Sequence, residues 1–117
     1  MNDLESFGLF FENFAVRDLK VYTQTLGGQV FNYHDKDGLE VDAIVHLNDG
    51  RWGAIEIKLG GEKLIEEGAR SLRALANKVD PTKMKAPSFL MVLVAVSEFA
   101  YRRLDGVLVV PVGCLKN

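Results

Sequence analysis

The chain is poor in cysteine, in long apolar runs and in net charge, and each shortage removes a class of protein. Its single cysteine, Cys114, excludes an internal disulfide and suits a reducing, cytoplasmic setting. The most apolar run, Phe89 to Val96, is too short to span a membrane, and Met1 to Glu5 lacks the basic start of a signal peptide. A formal net charge of -2 argues against nucleic-acid binding through bulk positive charge, so any such contact would need a local basic patch. No phosphate-binding loop of the GxxxxGK[ST] type is present, which argues against ATP hydrolysis by this chain alone. No internal repeat or low-complexity stretch interrupts it. What remains is a single domain over residues 1–117, with 48% apolar and 26% charged residues, long enough to build its own core.

The most informative stretch is Glu40 to Leu59. Apolar and polar residues alternate on both sides of Asn48-Asp49-Gly50, which predicts a hairpin closed by a three-residue loop with positive φ at Gly50. That loop sets the register. His46 then faces Trp52, Ile44 faces Ala54, Ala43 faces Ile55, Val41 faces Ile57, and Asp42 falls opposite Glu56. Like charges directly opposite each other on paired strands are destabilising, so the pair calls for compensation. A hard divalent cation such as Mg²⁺ would supply it, with Lys58, two residues past Glu56, as a fixed positive charge beside the ion. Carboxylate, carboxylate and lysine in this arrangement suit metal-assisted attack of water on a phosphodiester. The plainer reading is a solvated strand face on which Lys58 neutralises Glu56. His46 and Trp52 read as a packing pair near the mouth of the site, and His34 as an edge or turn residue.

Along the rest of the chain, Asp3 or Ser6 is placed to cap a helix reaching about Thr25, with Phe7, Phe10, Phe11, Phe14, Val21 and Tyr22 gathered on its buried face. Glu12 borders that stripe at a half-buried position, and Asp18 falls inside it. Gln29 to His34 is a first strand, turned back by Asp35-Lys36-Asp37-Gly38. Glu62 to Val79 is an amphipathic crossover helix. Phe89 to Val96 is apolar without alternation, the mark of a strand buried on both faces with a parallel neighbour. Ser97 to Leu104 is expected as a short helix or turn, and Val107 to Val110 as the last strand. The order predicts an α/β fold: three layers, α/β/α, around a mixed five-stranded sheet in order 1-2-3-4-5.

That order, with Asp42 on the second strand and Glu56-Ile57-Lys58 on the third, resembles the PD-(D/E)XK nuclease superfamily, the restriction-endonuclease-like fold. The segments FFENFAVRDL, GLEVDAIV, DGRWGAIEIKLGG and AYRRLDGVLVVPVG look more narrowly like the domain of unknown function at the C-terminus of predicted prokaryotic AAA-type ATPases. The resemblance implies Asp42, Glu56 and the Ile57 carbonyl as ligands of Mg²⁺ or Mn²⁺, Lys58 as the catalytic lysine and Glu12 as an auxiliary acidic residue. Val41 stands where the family usually has proline, a position with no catalytic group. The resemblance also implies an upstream ATPase domain in the same polypeptide, from which this domain would be excised, and admits a homodimer, since many such nucleases cut as dimers.

Two functions follow. One is a Mg²⁺-dependent nuclease domain acting on DNA, with phosphate contacts from Lys63, Arg70, Arg102, Arg103 and the Lys83 to Lys85 loop. The other is a non-catalytic, nuclease-like module that docks on or regulates the ATPase or a protein partner. The intact Asp, Glu and Lys favour the first, and the acidic balance favours the second.

Overall fold

A computed structural model describes the backbone of residues 3–97 and 99–115 and the side chains of residues 11, 12, 15–97 and 99–113. The elements, in chain order, are α1 (Asp3–Thr25), β1 (Gly28–His34), β2 (Glu40–Leu47), β3 (Trp52–Lys58), α2 (Glu62–Lys78), β4 (Phe89–Val94), β5 (Tyr101–Arg102) and β6 (Leu108–Pro111), closed by a 3-10 turn over Val112–Leu115. The strands form one mixed sheet in order β1-β2-β3-β4-β6-β5. The first three make an antiparallel meander; β3, β4 and β6 run parallel; β5 returns antiparallel on β6. The chain is thus α/β, with two α-helices and six strands among the described residues, one strand more than expected. The additional strand is β5, in the segment expected to be helix or turn: Tyr101 and Arg102 pair with Val109 and Leu108 at the sheet edge.

The hairpin has the register its loop dictates. Ala43 pairs with Ile55, Ile44 with Ala54, Val45 with Gly53 and His46 with Trp52. The Leu47 amide donates to the Arg51 carbonyl at 2.8 Å across the loop, and Gly50 takes φ 93°, a conformation that costs a residue without Cβ little.

The sheet carries a core on each face. On one, Phe11, Ala15 and Leu19 of α1 pack on Ala43, Ile55, Ile57 and Leu93. On the other, Ile65, Ala69, Leu72 and Leu75 of α2 pack on Ile44, Ala54, Val92, Val94 and Val109. The contact line of α1 is therefore 11-15-19-23, one residue every turn, ending on buried Thr23. This corrects the expected stripe. Val21 and Tyr22 are exposed, and so is Asp18, because small Ala15 faces the sheet and rotates the bulkier positions outward. The side chains of Phe7, Phe10, Phe14 and Cys114, and the expected caps at Asp3 and Ser6, lie outside the described residues.

Close packing also depends on a missing side chain at Gly53. A Cβ built there would stand 2.3 Å from ring atoms of Phe89 on the neighbouring strand. Gly53→Ala is expected to lower the unfolding free energy by about 1–3 kcal/mol as the ring is forced aside. Urea denaturation measures this, and parental stability would mean the ring relocates freely.

One irregularity decides the shape of the site. Between β1 and β2, Phe31 pairs with Ile44 and Tyr33 pairs with Val41, so the single residue Asn32 lies opposite two, Asp42 and Ala43. This is a β-bulge on β2, a feature that bends a strand and re-aims a side chain. The Asn32 side-chain amide reaches the Val41 carbonyl at 3.5 Å. Alternation fails across the bulge: Val41 joins Ile44 in the core under α2, whereas Ala43 joins Ile57 under α1. The expected facing of Val41 and Ile57 on one apolar side is therefore corrected.

Candidate functional site

The β2–β3 ladder ends at Ala43 and Ile55. Beyond that point β2 stays with β1, down to the pair Glu40 and His34, and β3 stays with β4, up to the pair Lys58 and Val94. The two strands part like a fork. Asp42 and Glu56 are the first residue on each arm, and their side chains take over the main-chain bonding that the ladder gives up. The Asp42 amide donates to Glu56 Oε2 at 3.1 Å, and the Ile57 amide donates to Asp42 Oδ2 at 2.8 Å. The two carboxyl groups are thereby locked to each other's strand.

Burial at the fork is uneven. Glu56 is only 5% exposed, one of two buried polar residues in the described chain. Its Cβ lies beneath α2, where Gly68 leaves room: a Cβ on Gly68 would come within 3.3 Å of it. Loss of water raises the Glu56 carboxyl to about 8, and the neighbouring Asp42 side chain pushes in the same direction. The Asp42 amide and the Lys58 ammonium act against that shift without cancelling it. Glu12 arrives from α1, half-buried. Its carboxyl is also raised, first by burial, then by the charge and hydrogen bond of Asp42, with Lys58 opposing. Asp42 and Lys58 thus act on both Glu12 and Glu56. Ile57 contributes its amide to Asp42 and its side chain to the α1 core.

A cation suits this chemistry: the donors are hard carboxylate oxygens, and burial next to a second carboxyl leaves Glu56 holding a proton that a divalent ion could replace. Among the described residues, no three His, Cys, Asp or Glu side chains converge as a ready-made ion cage. Two carboxylates are enough for Mg²⁺, which keeps most of its waters.

The loop that follows β3 stays bonded to the chain leaving β4. The Ala95 amide bonds to the Lys58 carbonyl and the Val96 amide to the Leu59 carbonyl. Gly60, at φ 137°, permits this approach, since a Cβ there would stand 2.8 Å from the Val96 carbonyl oxygen.

Arg103 is held by Glu66 and by Asp105 at 3.2 Å, and Arg73 joins the same two acids. Lys63, Arg70 and Arg102 are exposed. The Lys83 to Lys85 loop is anchored by a bond from Trp52 Nε1 to the Lys85 carbonyl at 2.9 Å. Trp52 opens β3 and Lys58 ends it, which places that loop about 20 Å from the lysine. His46 is also displaced from the expected site. It sits with Trp52 at the loop end of the hairpin, on the wall of a separate cavity. The bulge leaves no local signal, because Val41, Ala43, Ile44 and Val45 are all apolar and alternation does not reveal which face Val41 takes.

The structure therefore defines an α/β domain with an acidic pair and a lysine at a strand fork. The chain belongs to the family described as Domain of unknown function (DUF4143), which it matches over residues 7–115. No match was found among curated proteins or among solved structures.

Proposed function

We propose that this domain is a Mg²⁺-dependent nuclease acting on DNA, built on a restriction-endonuclease-like fold. The observation that carries the reading is the buried Glu56 carboxyl interlocked with Asp42 one strand away, with Lys58 next along β3. Asp42 and Glu56, with the Ile57 carbonyl, would hold the ion, Mg²⁺ or Mn²⁺. When bound, such an ion lowers the pKa of its water and offsets charge on the scissile phosphodiester. Lys58 orients that water or stabilises the charge that develops on the phosphate oxygens. Glu12 adds a carboxyl on the α1 side of the fork. We further propose that the domain works in the cytoplasm as the C-terminal module of an AAA-type ATPase, in the same polypeptide, and pairs as a homodimer when it cuts. Among the described residues no helix is long and apolar enough to cross a membrane.

The distance of the basic loop from the fork, and the engagement of Arg73 and Arg103 in ion pairs, support a second reading: a non-catalytic module that docks on the ATPase or on a protein partner. Titration with Mg²⁺ and Mn²⁺, following thermal stability, separates the two. The nuclease reading expects stabilisation of the parent chain that Asp42→Asn and Glu56→Gln both lose. No shift in any of the three selects the docking module.

A further inference from the structure

The two edges of the sheet are treated differently. At one, β5 is only two residues long, which blunts the edge. At the other, β1 runs for seven residues, GQVFNYH, and among the described residues pairs only with β2. It carries no lysine, no carboxylate and no proline, the usual protections of an exposed edge. The bulge that would spoil an added strand lies on β2 instead.

Beside this edge α1 covers one face of the sheet, and the other is uncovered. The helix α2 lies chiefly over β3 and β4, and on the same face β1 and β2 border a cavity of about 520 Å³. Its walls are mainly apolar, with Phe31 and Tyr33 from β1, Ile44 from β2, Trp52 from β3, Leu75 from α2, and Met84 from the loop beyond. They carry His46, Lys78, Asp80 and Lys83 among them. Phe31 and Met84 are each 47% exposed, so the cavity is open at the β1 side. The polar groups on its walls are mostly satisfied. Tyr33 donates to Asp35, Lys78 is bound by Asp35 and Asp37, and Trp52 donates to the Lys85 carbonyl. Asp80 on the wall is bound by Thr82, whereas Lys83 on the wall and Lys85, whose Nζ lies near Gly50 and whose charge acts on Asp49, have no carboxylate within ion-pair distance among the described residues.

An unprotected edge supplies main-chain donors and acceptors, and an apolar groove along it supplies pockets for alternate side chains. Together they make the recognition mode in which an extended peptide adds a strand to a sheet. We propose that β1 and its groove dock an extended segment of a partner protein. The segment would be a seventh strand on the β1 edge, with alternate apolar side chains in the groove and an acidic residue at the flank meeting Lys83 or Lys85. This does not rest on the nuclease reading.

The test is to pan a phage-displayed library of random dodecapeptides on the full chain and to measure recovered peptides by fluorescence anisotropy. Recovered peptides are expected to alternate apolar and polar residues with an acidic flank. Methylating their backbone amides at alternate positions, or introducing Phe31→Glu, should each weaken binding at least about tenfold. Phe31 is exposed, so that variant keeps the fold, as circular dichroism would verify. The double change Lys83→Glu and Lys85→Glu should reverse the preference for an acidic flank. Bound peptide should slow amide exchange along β1. Recovery of no peptide, or of peptides lacking alternation, overturns the proposal, as does binding indifferent to N-methylation. A chain that sediments as a dimer with β1 already protected overturns it too, assigning the edge to a second copy.

Discussion

On the proposed nuclease reading, replacing Lys58 by alanine is expected to lower the cleavage rate by at least about 10²–10³-fold, the usual effect of removing one preorganised group that stabilises transition-state charge. The ion's stabilisation of the fold should survive, because the lysine supplies no ligand. Asp42→Asn should weaken both. The geometry explains the split: Lys58 is half-buried at the end of β3, past the interlocked carboxyls, and only opposes the charge they develop. Single-turnover cleavage of a labelled DNA, beside thermal shift with Mg²⁺, reads the two effects separately. Cleavage by Asp42→Asn at the parental rate would place the site elsewhere than the fork.

The second large effect is on pH dependence. The Glu56 carboxyl is raised from its ordinary 4.5 to about 8 in the folded chain. Between those values the folded state holds a proton that the unfolded state has released. Metal-free stability is therefore full below the lower value and declines as pH rises through the upper one. The loss is expected to be on the order of a few kcal/mol. Glu12, raised for similar reasons, adds to it with the same sign. The carboxylates lowered by hydrogen bonds and ion pairs, Asp35 to about 2 among them, lose their contribution only under acid conditions, outside this window. Denaturant midpoints of the metal-free chain measured from about pH 5 to 8 should fall more steeply for the parent than for Glu56→Gln. Divalent-ion stabilisation should grow across the same range, since the proton must leave before the ion is held. Equal slopes for parent and variant would mean that Glu56 is ionised in the folded chain.

Much of the site was legible because it lies on a hairpin. Gly50 and the alternation around it fix which residues of β2 and β3 face each other, and that register alone brings Asp42 to Glu56. The crossover helix and the buried, non-alternating β4 were legible from their periodicity. The bulge was not, because it is a property of the β1–β2 pairing: one residue, Asn32, must span two, and no local pattern in either strand records it. The short β5 escaped for a related reason, since Tyr101 and Arg102 become a strand only when β6 offers them a ladder. The tilt of α1 was set by Ala15, whose smallness matters only once a sheet lies against it. The inertness of Arg103 likewise comes from the chain's return past Glu66, a contact 37 residues apart.

The parting of β2 from β3 also divides the molecule in time. The three antiparallel strands before the fork are joined by short turns and close at little entropic cost, whereas β4 waits for the whole of α2. On that ordering Asp42 and Glu56 are expected to become neighbours before α2 docks, with Glu56 still open to water. Only when α2 and β4 arrive does Gly68 settle over its Cβ, beside fully buried Val92. Docking of the second half is then the step that takes up the proton. Assembly of this domain should slow in alkaline solution at that late stage, with the early meander indifferent to pH.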